Sequence, residues 1–270
     1  MLSWFFIYCQ HITTQINNHM QHIAASATNL TVIQLISTIG TIIGFWYFDY
    51  TVSSILLILL GYFLYTGVGI SMTMHRYWTH KSFEFRSKTL MWICTWFGLM
   101  AGRGSVIGWV HVHREHHAFS DTAKDPHAPN INGWRVFFPH LLNYGKNFNP
   151  RLVRDILNKT QTNFNKYYML LILGWIFLLS LIDIRLAYFG WIVPVAIAQL
   201  VLNSFIYFGH SYGYRNHNHR DESNNLWPFG ILLWGEGWHN NHHKNPQKWN
   251  MQEKWWEIDL IAPLIKLIKK

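Results

Sequence analysis

Nine histidines fall into segments far apart in this chain, and any fold that uses them together must bring those segments to one place. His75 and His80 are spaced HxxxxH. His113, His116 and His117 are spaced HxxHH, and His239, His242 and His243 repeat that spacing, with a single His210 upstream. Neutral imidazole is a common ligand for iron, copper and zinc. One tetrahedral ion uses about four ligands, so nine imidazoles are too many for one ion and about right for two. Each residue of a helix advances about 100°, so positions i, i+3 and i+4 share a face. Each HxxHH group therefore presents three imidazoles together. His75 and His80 stand roughly 140° apart on an ideal helix. They converge only where the helix frays or ends inside the box. A lone histidine doublet is as often a surface feature as a ligand set. Two HxxHH groups with an HxxxxH are not.

The charge pattern places these segments. Residues 1–74 contain no Lys or Arg and a single acid, Asp49. Four apolar stretches approach the roughly 20 residues that a spanning helix needs: about 30–48, 52–73, 167–182 and 186–207. Residues 52–73 carry no charge, which argues against a helix of a soluble core. The stretches pair into two hairpins, turning near Asp49–Tyr50 and Asp183–Arg185. Of the 22 Lys and Arg residues, all but Arg185 lie on the histidine side of those turns. The positive-inside rule then makes that side cytoplasmic. The expected fold is an all-α integral membrane protein: about four transmembrane helices in two hairpins, under a cytoplasmic helical cap that holds a dinuclear metal site. A bacterial plasma membrane and the endoplasmic reticulum both fit. The net charge of +9 suits a basic face on anionic lipid headgroups, so no nucleic-acid partner is implied.

One apolar run tests this topology. Leu90–Ala101 is too short to cross. If it crossed, the first two histidine groups would lie on opposite faces and could share no metal. It is expected to lie in the interface, with Trp92 and Trp96 at headgroup level. Leu264–Lys270 reads as a second short surface helix. Residues 1–28 form a polar arm in which His11, His19 and His22 are solvated, and the whole chain, 1–270, reads as one domain. Cys9 and Cys94 make no disulfide framework, and the N-terminus has no basic region of the signal-peptide kind.

A histidine-held metal at the ends of membrane helices receives lipid chains, and an ionisable cluster there is a functional site by default. Breaking an unactivated C–H bond needs an oxidised metal–oxygen species. Iron with O2 supplies one; zinc has no redox chemistry. At this point the chain resembles the membrane fatty-acid desaturases of the stearoyl-CoA and acyl-lipid delta-9 class. The three boxes match that family's HxxxxH, HxxHH and HxxHH. Gly108–His117 (GWVHVHREHH), Ser120–His127 (SDTAKDPH), His210–Arg215 (HSYGYR) and Gly235–His243 (GEGWHNNHH) resemble its flanking motifs. The resemblance runs from about residue 70 to 247.

It implies that His75, His80, His113, His116, His117, His210, His239, His242 and His243 hold two irons. It also implies O2 as co-substrate, a fatty-acyl substrate (acyl-CoA or acyl-lipid), and a cis double bond, with delta-9 expected. The chain carries no haem or flavin motif, so a separate donor such as ferredoxin or cytochrome b5 delivers electrons. The family usually places an Asn four residues before the extra histidine, where it meets a metal-bound water. Here that position is Ile206. Asn203, two helical turns before His210, is a candidate replacement, with Ser204 next.

Glu115, Asp121, Asp125 and Glu236 are candidates to orient the imidazoles from outside. His111, His127 and His140 are not expected to be ligands. Trp92, Trp96, Trp109 and Trp238 are candidates to line an acyl tunnel. Arg103, Arg135, Lys146, Arg151 and Arg154 are candidates to meet a headgroup. A carboxylate-rich di-iron site, which needs two ExxH motifs, is excluded, since Glu236–His239 is the only one and there are six glutamates. The nearest rival is a membrane di-iron hydroxylase of alkanes or lipids. A metal transporter fits less well, because transporters place ligands near the bilayer midplane.

Overall fold

The computed structural model describes residues 27–142, 144 and 148–270. The proposed arm, with His11, His19 and His22, lies almost wholly outside the described residues, as does Lys146. Among the described residues the structure is helical, with isolated bridges and no strand.

Helices α1 (Ala27–Phe45), α2 (Val52–Thr79) and α7 (Ile184–Gly209) are each long and apolar enough to cross a membrane. Between α2 and α7 come α3 (Lys88–Met100), α4 (Val106–Phe119), α5 (Lys159–Lys166) and α6 (Tyr168–Ile182). The third expected span, about 167–182, is the short one. Helix α6 has 15 residues and reaches span length only together with α5, from which it bends by 70°. After α7 follow α8 (Trp227–Leu232), α9 (His239–Lys244) and α10 (Ala262–Ile268).

The long helices turn apolar side chains outward. Ile39, Ile42 and Ile43 of α1, Leu56, Leu59 and Leu60 of α2, and Phe177 and Leu181 of α6 are all exposed. A face this apolar is a liability in water, whereas lipid demands it and demands that backbone groups pair within the helix. The helix starts are locally written. The Ser54 N–H donates to Thr51 Oγ1 and the Thr51 N–H to Ser54 Oγ, closing a capping box. Ser87, Ser105 and Asp183 cap α3, α4 and α7 with a side-chain oxygen that accepts the N–H of Leu90, Gly108 and Arg185 respectively.

From Phe63 onward α2 is wound as a π-helix. His80 N–H donates to the His75 carbonyl five residues back (3.1 Å), and the Thr73 and Thr79 hydroxyls also reach back five. Such winding is rare and concentrates at functional sites. This wider winding turns less per residue than an α-helix, and with the helix ending at Thr79 it narrows the 140° offset and brings His75 and His80 together in one group.

Helix α3 lies along this segment. Gly69 and Gly98 let the two backbones touch: a Cβ on Gly69 would sit 2.7 Å from the Gly98 nitrogen. With 13 residues α3 is about 20 Å long, and the boxes at its two ends meet. Helix α10 differs from the expected surface helix on one face. Ile265 and Ile268 are buried with Phe83, Phe85 and Met91, and Lys270 N–H donates to the Glu84 carbonyl.

Candidate metal centre

The nine boxed histidines meet in two groups. His75, His80, His113, His117 and His242 form one; His116, His210, His239 and His243 form the other. Within each group the ligand nitrogens all lie within 4.8 Å of one another. Two nitrogens on opposite sides of one ion, bonded at about 2.1 Å, stand about 4 Å apart, so either group is the right size for one ion. The histidine doublets straddle the pair. His117 and His242 belong to the first group, His116 and His243 to the second. The His117 and His243 ring centroids are 4.4 Å apart.

The hydrogen bonding asks for a cation. His116 Nδ1 lies 2.9 Å from Asp125 Oδ2, His243 Nδ1 3.1 Å from Asp221 Oδ2, and His210 Nδ1 3.1 Å from Asp121 Oδ2. His75 Nδ1 lies 2.5 Å from Glu236 Oε2. A carboxylate accepts, so each of these Nδ1 atoms carries the proton and each Nε2 presents a lone pair. Those Nε2 atoms face other Nε2 atoms: His116 to His243 at 3.3 Å, His75 to His242 at 3.0 Å and His210 to His239 at 2.9 Å. His80 Nε2 is buried with no partner. Facing lone pairs repel unless a positive ion lies between them, and the donor set therefore fits metal. Burial, and then the neighbouring imidazoles, push His80, His113, His239 and His242 well below the ordinary histidine range; the same two causes lower His117 and His243. These six imidazoles are thereby kept neutral, as ligands must be.

Two arginines clamp the boxes together. Arg76, buried, pairs with Glu236 and Asp259 and donates to the Trp249 carbonyl (2.9 Å), tying the first box to the third. Arg114 donates to the Trp78 and Thr79 carbonyls at the end of α2 and to both oxygens of Asp155, tying the first box to the second. The sequence reading missed both, although an His-Arg pair opens the first and second boxes. It also missed Asp221, which lies between His219 and His243. The third box is set from behind. Asn240 and Asn241, between its histidines, are held by Asn225, Asn216, His217 and Glu257.

The structure changes several expected roles. Glu115 pairs with no boxed histidine; its carboxylate is 3.9 Å from His111. Burial, then Asp125, raises it to about 7. Asn203 is spent elsewhere: its Oδ1 accepts from Arg103 (2.8 Å) and its Nδ2 donates to the Phe137 carbonyl (3.2 Å). It does not line the cleft beside the histidines, whereas Ile206 does. His111 accepts from the Asn149 N–H, His140 is exposed, and His127 stacks on His116 at 4.5 Å between centroids.

That cleft encloses about 860 Å³ with its open side included. It is walled by Leu30, Ile70, Val112, Leu202, Phe205 and Ile206, with five boxed histidines at its surface. Of the four candidate tunnel tryptophans only Trp109 lines it. Trp238 is buried and donates to the Ile258 carbonyl. Arg135, Arg151 and Arg154 are exposed, while Arg103 is buried in the cleft wall.

Comparison with known proteins meets this geometry from the outside. The family model "Fatty acid desaturase" matches residues 49–266. The sn-1 stearoyl-lipid 9-desaturase of Anabaena variabilis is 32% identical over 244 residues, 86% of this chain and 86% of its own length. Delta-9 acyl-lipid desaturase 1 of Arabidopsis thaliana is 31% identical over 218 residues, 75% of this chain and 68% of its own. The sn-2 palmitoyl-lipid 9-desaturase of Nostoc sp. is 30% identical over 241 residues, 83% of this chain and 80% of its own. Apolar helices of spanning length, the buried imidazole groups and these matches converge: the chain belongs to the fatty-acid desaturase family and is an oxidoreductase of that kind.

Proposed function

We propose that this chain inserts a cis double bond, at carbon 9, into a saturated fatty-acyl chain, using O2, two electrons and two irons. The nine boxed histidines hold the irons, five in one group and four in the other. The observation that carries this reading is the pair of Nε2-converging groups at the surface of an apolar cleft. Bound iron with O2 supplies the oxidising power that an unactivated C–H bond requires. The chain's own residues do the rest. Leu30, Ile70, Val112, Leu202 and Phe205 offer a hydrocarbon wall that holds an acyl chain and excludes water. Asp121, Asp125, Asp221 and Glu236 keep the protons on Nδ1, so that the lone pairs point inward. Holding the chain in one pose is what lets neighbouring carbons react in turn, since small misplacements cost large factors in rate.

We read residues 1–270 as one membrane domain with the histidines on the cytoplasmic side, supplied with electrons by a separate protein such as ferredoxin or cytochrome b5. Accessible-cysteine labelling tests the orientation. The loop after α4 labels from the cytoplasm and the Asp183 turn from the other side; the reverse pattern refutes it. For the reaction, the chain is expressed in a desaturase-deficient host fed a saturated acid, and the fatty acids are read by mass spectrometry. Monounsaturated chains are expected. Hydroxy acids with no new alkene would move the protein to the hydroxylases and leave the ligand set intact. Purified protein holding zinc and no iron would end the di-iron reading.

A further inference from the structure

The wall of the cleft carries a cation with no counter-charge. Arg103 lines the cleft and is 7% exposed. Its Nη1 donates to Gln199 Oε1 (2.6 Å) and Asn203 Oδ1 (2.8 Å). Both acceptors are neutral amides. Among the described residues its Nε and Nη2 donate to nothing, and no carboxylate pairs with it. The masked residues hold none to offer, because all 13 acids of the chain lie in the described part. Arg76 shows what this protein does with a buried guanidinium when the role is structural. It is surrounded by Glu236 and Asp259. A buried charge left unpaired is costly. Arg103 bonds to two side chains of α7, a helix long and apolar enough to cross a membrane, and beside such a helix an unpaired ionisable residue is a functional-site candidate. Its partner Asn203 is seven residues before His210 on α7, about 10 Å from the second histidine group.

Two more donors face the same space. His127 and Tyr144 also line the cleft, each 7% exposed, with rings 5.9 Å apart. His127 Nδ1 is buried without a partner, and the Tyr144 hydroxyl makes no hydrogen bond among the described residues. The guanidinium edge left over on Arg103, Nε with Nη2, is a fork that matches the two oxygens of a carboxylate.

We propose that Arg103, His127 and Tyr144 form a carboxylate subsite inside the cleft, so that the acyl ligand of this centre carries a negatively charged carboxylate there. That the ligand is an acyl chain rests on the desaturase reading; that it is a carboxylate rests on Arg103. A non-esterified fatty acid has this chemistry, and so does a small free anion.

The test uses the full-length, iron-loaded protein in maltoside detergent. Retention of labelled palmitate is measured with unlabelled palmitate, methyl palmitate, hexadecane or acetate as competitor. Palmitate should compete at a concentration at least tenfold below that of methyl palmitate. Arg103→Gln, which keeps an amide toward Asn203, should abolish that gap, and Tyr144→Phe should narrow it severalfold. Equal competition by palmitate and its methyl ester in the unaltered protein overturns the subsite, as does a gap that survives in Arg103→Gln. Competition by acetate as effective as by palmitate overturns the acyl assignment and leaves a site for small anions only. If Arg103→Gln does not purify with its iron, the ester comparison and Tyr144→Phe decide alone. Product analysis is read separately. An intact acid preference without unsaturated product defeats the reaction and spares the subsite; unsaturated product without the preference does the opposite.

Discussion

The two histidine groups are built differently. The five-membered group takes ligands from all three boxes, and these stand on or at the ends of α2, α4 and α9. Its outer carboxylate, Glu236, is held by Arg76 and Ser71. The four-membered group takes His116 from α4, His243 and His239 from α9, and His210 from just past α7. Its outer carboxylates, Asp121, Asp125 and Asp221, all come from loops. Glu236 also lies in a turn, but a buried arginine anchors it, whereas among the described residues the three aspartates pair with histidines and with no Lys or Arg. Loop carboxylates without such an anchor are the freer to move, so the second group is expected to lose its metal more easily.

Ligand removal should show this most strongly. His242→Ala should empty the first group and His243→Ala the second, each dropping iron from two to about one per chain with near-total loss of desaturation. Metal analysis with Mössbauer spectroscopy separates the cases, and identical spectra from the two variants would break the distinction. Next in size is the Arg76 clamp. Arg76→Leu strands Glu236 and Asp259 as buried acids and should cost about 3–5 kcal/mol. Thermal unfolding of the detergent-solubilised protein measures it, and a loss below about 1 kcal/mol would mean the clamp contributes little beyond a surface pair. Asp221→Asn should weaken iron at the second group by about 10–100-fold and spare the first. Chelator competition checks this, and equal release from both groups would merge them into one unit. Smallest of all, Glu115→Gln and Asn203→Ala should leave iron content at two per chain, because neither side chain touches a boxed imidazole. Iron lost from Asn203→Ala would restore Asn203 as a metal contact.

Much of this was legible in the chain. Periodicity placed His113, His116 and His117 on one face because the i, i+3, i+4 relation is local. Charge-free length marked α1, α2 and α7 because lipid admits little else. The first box was only half legible. Its convergence depends on the π-winding of α2, in a segment that packs against α3 at Gly69 and Gly98, and the box spacing alone does not encode that winding. Glu115 was misjudged for a related reason: nearness in sequence to His116 says nothing of the direction in which a side chain leaves the helix. Asp221 escaped because its segment has no periodicity, and its partner His243 is 22 residues away.

By itself the sequence determined what short-range physics controls: apolar lengths, caps, the shared faces of the boxes and the imidazole chemistry. The tertiary structure alone decided which histidine joins which group, how His-Arg pairs clamp the boxes, and that Arg103 faces the cleft without an acid while Arg76 has two. Those outcomes depend on residues tens to more than a hundred positions apart. No local spacing encodes them, because burial and counter-charge are set only when distant segments close around the same point.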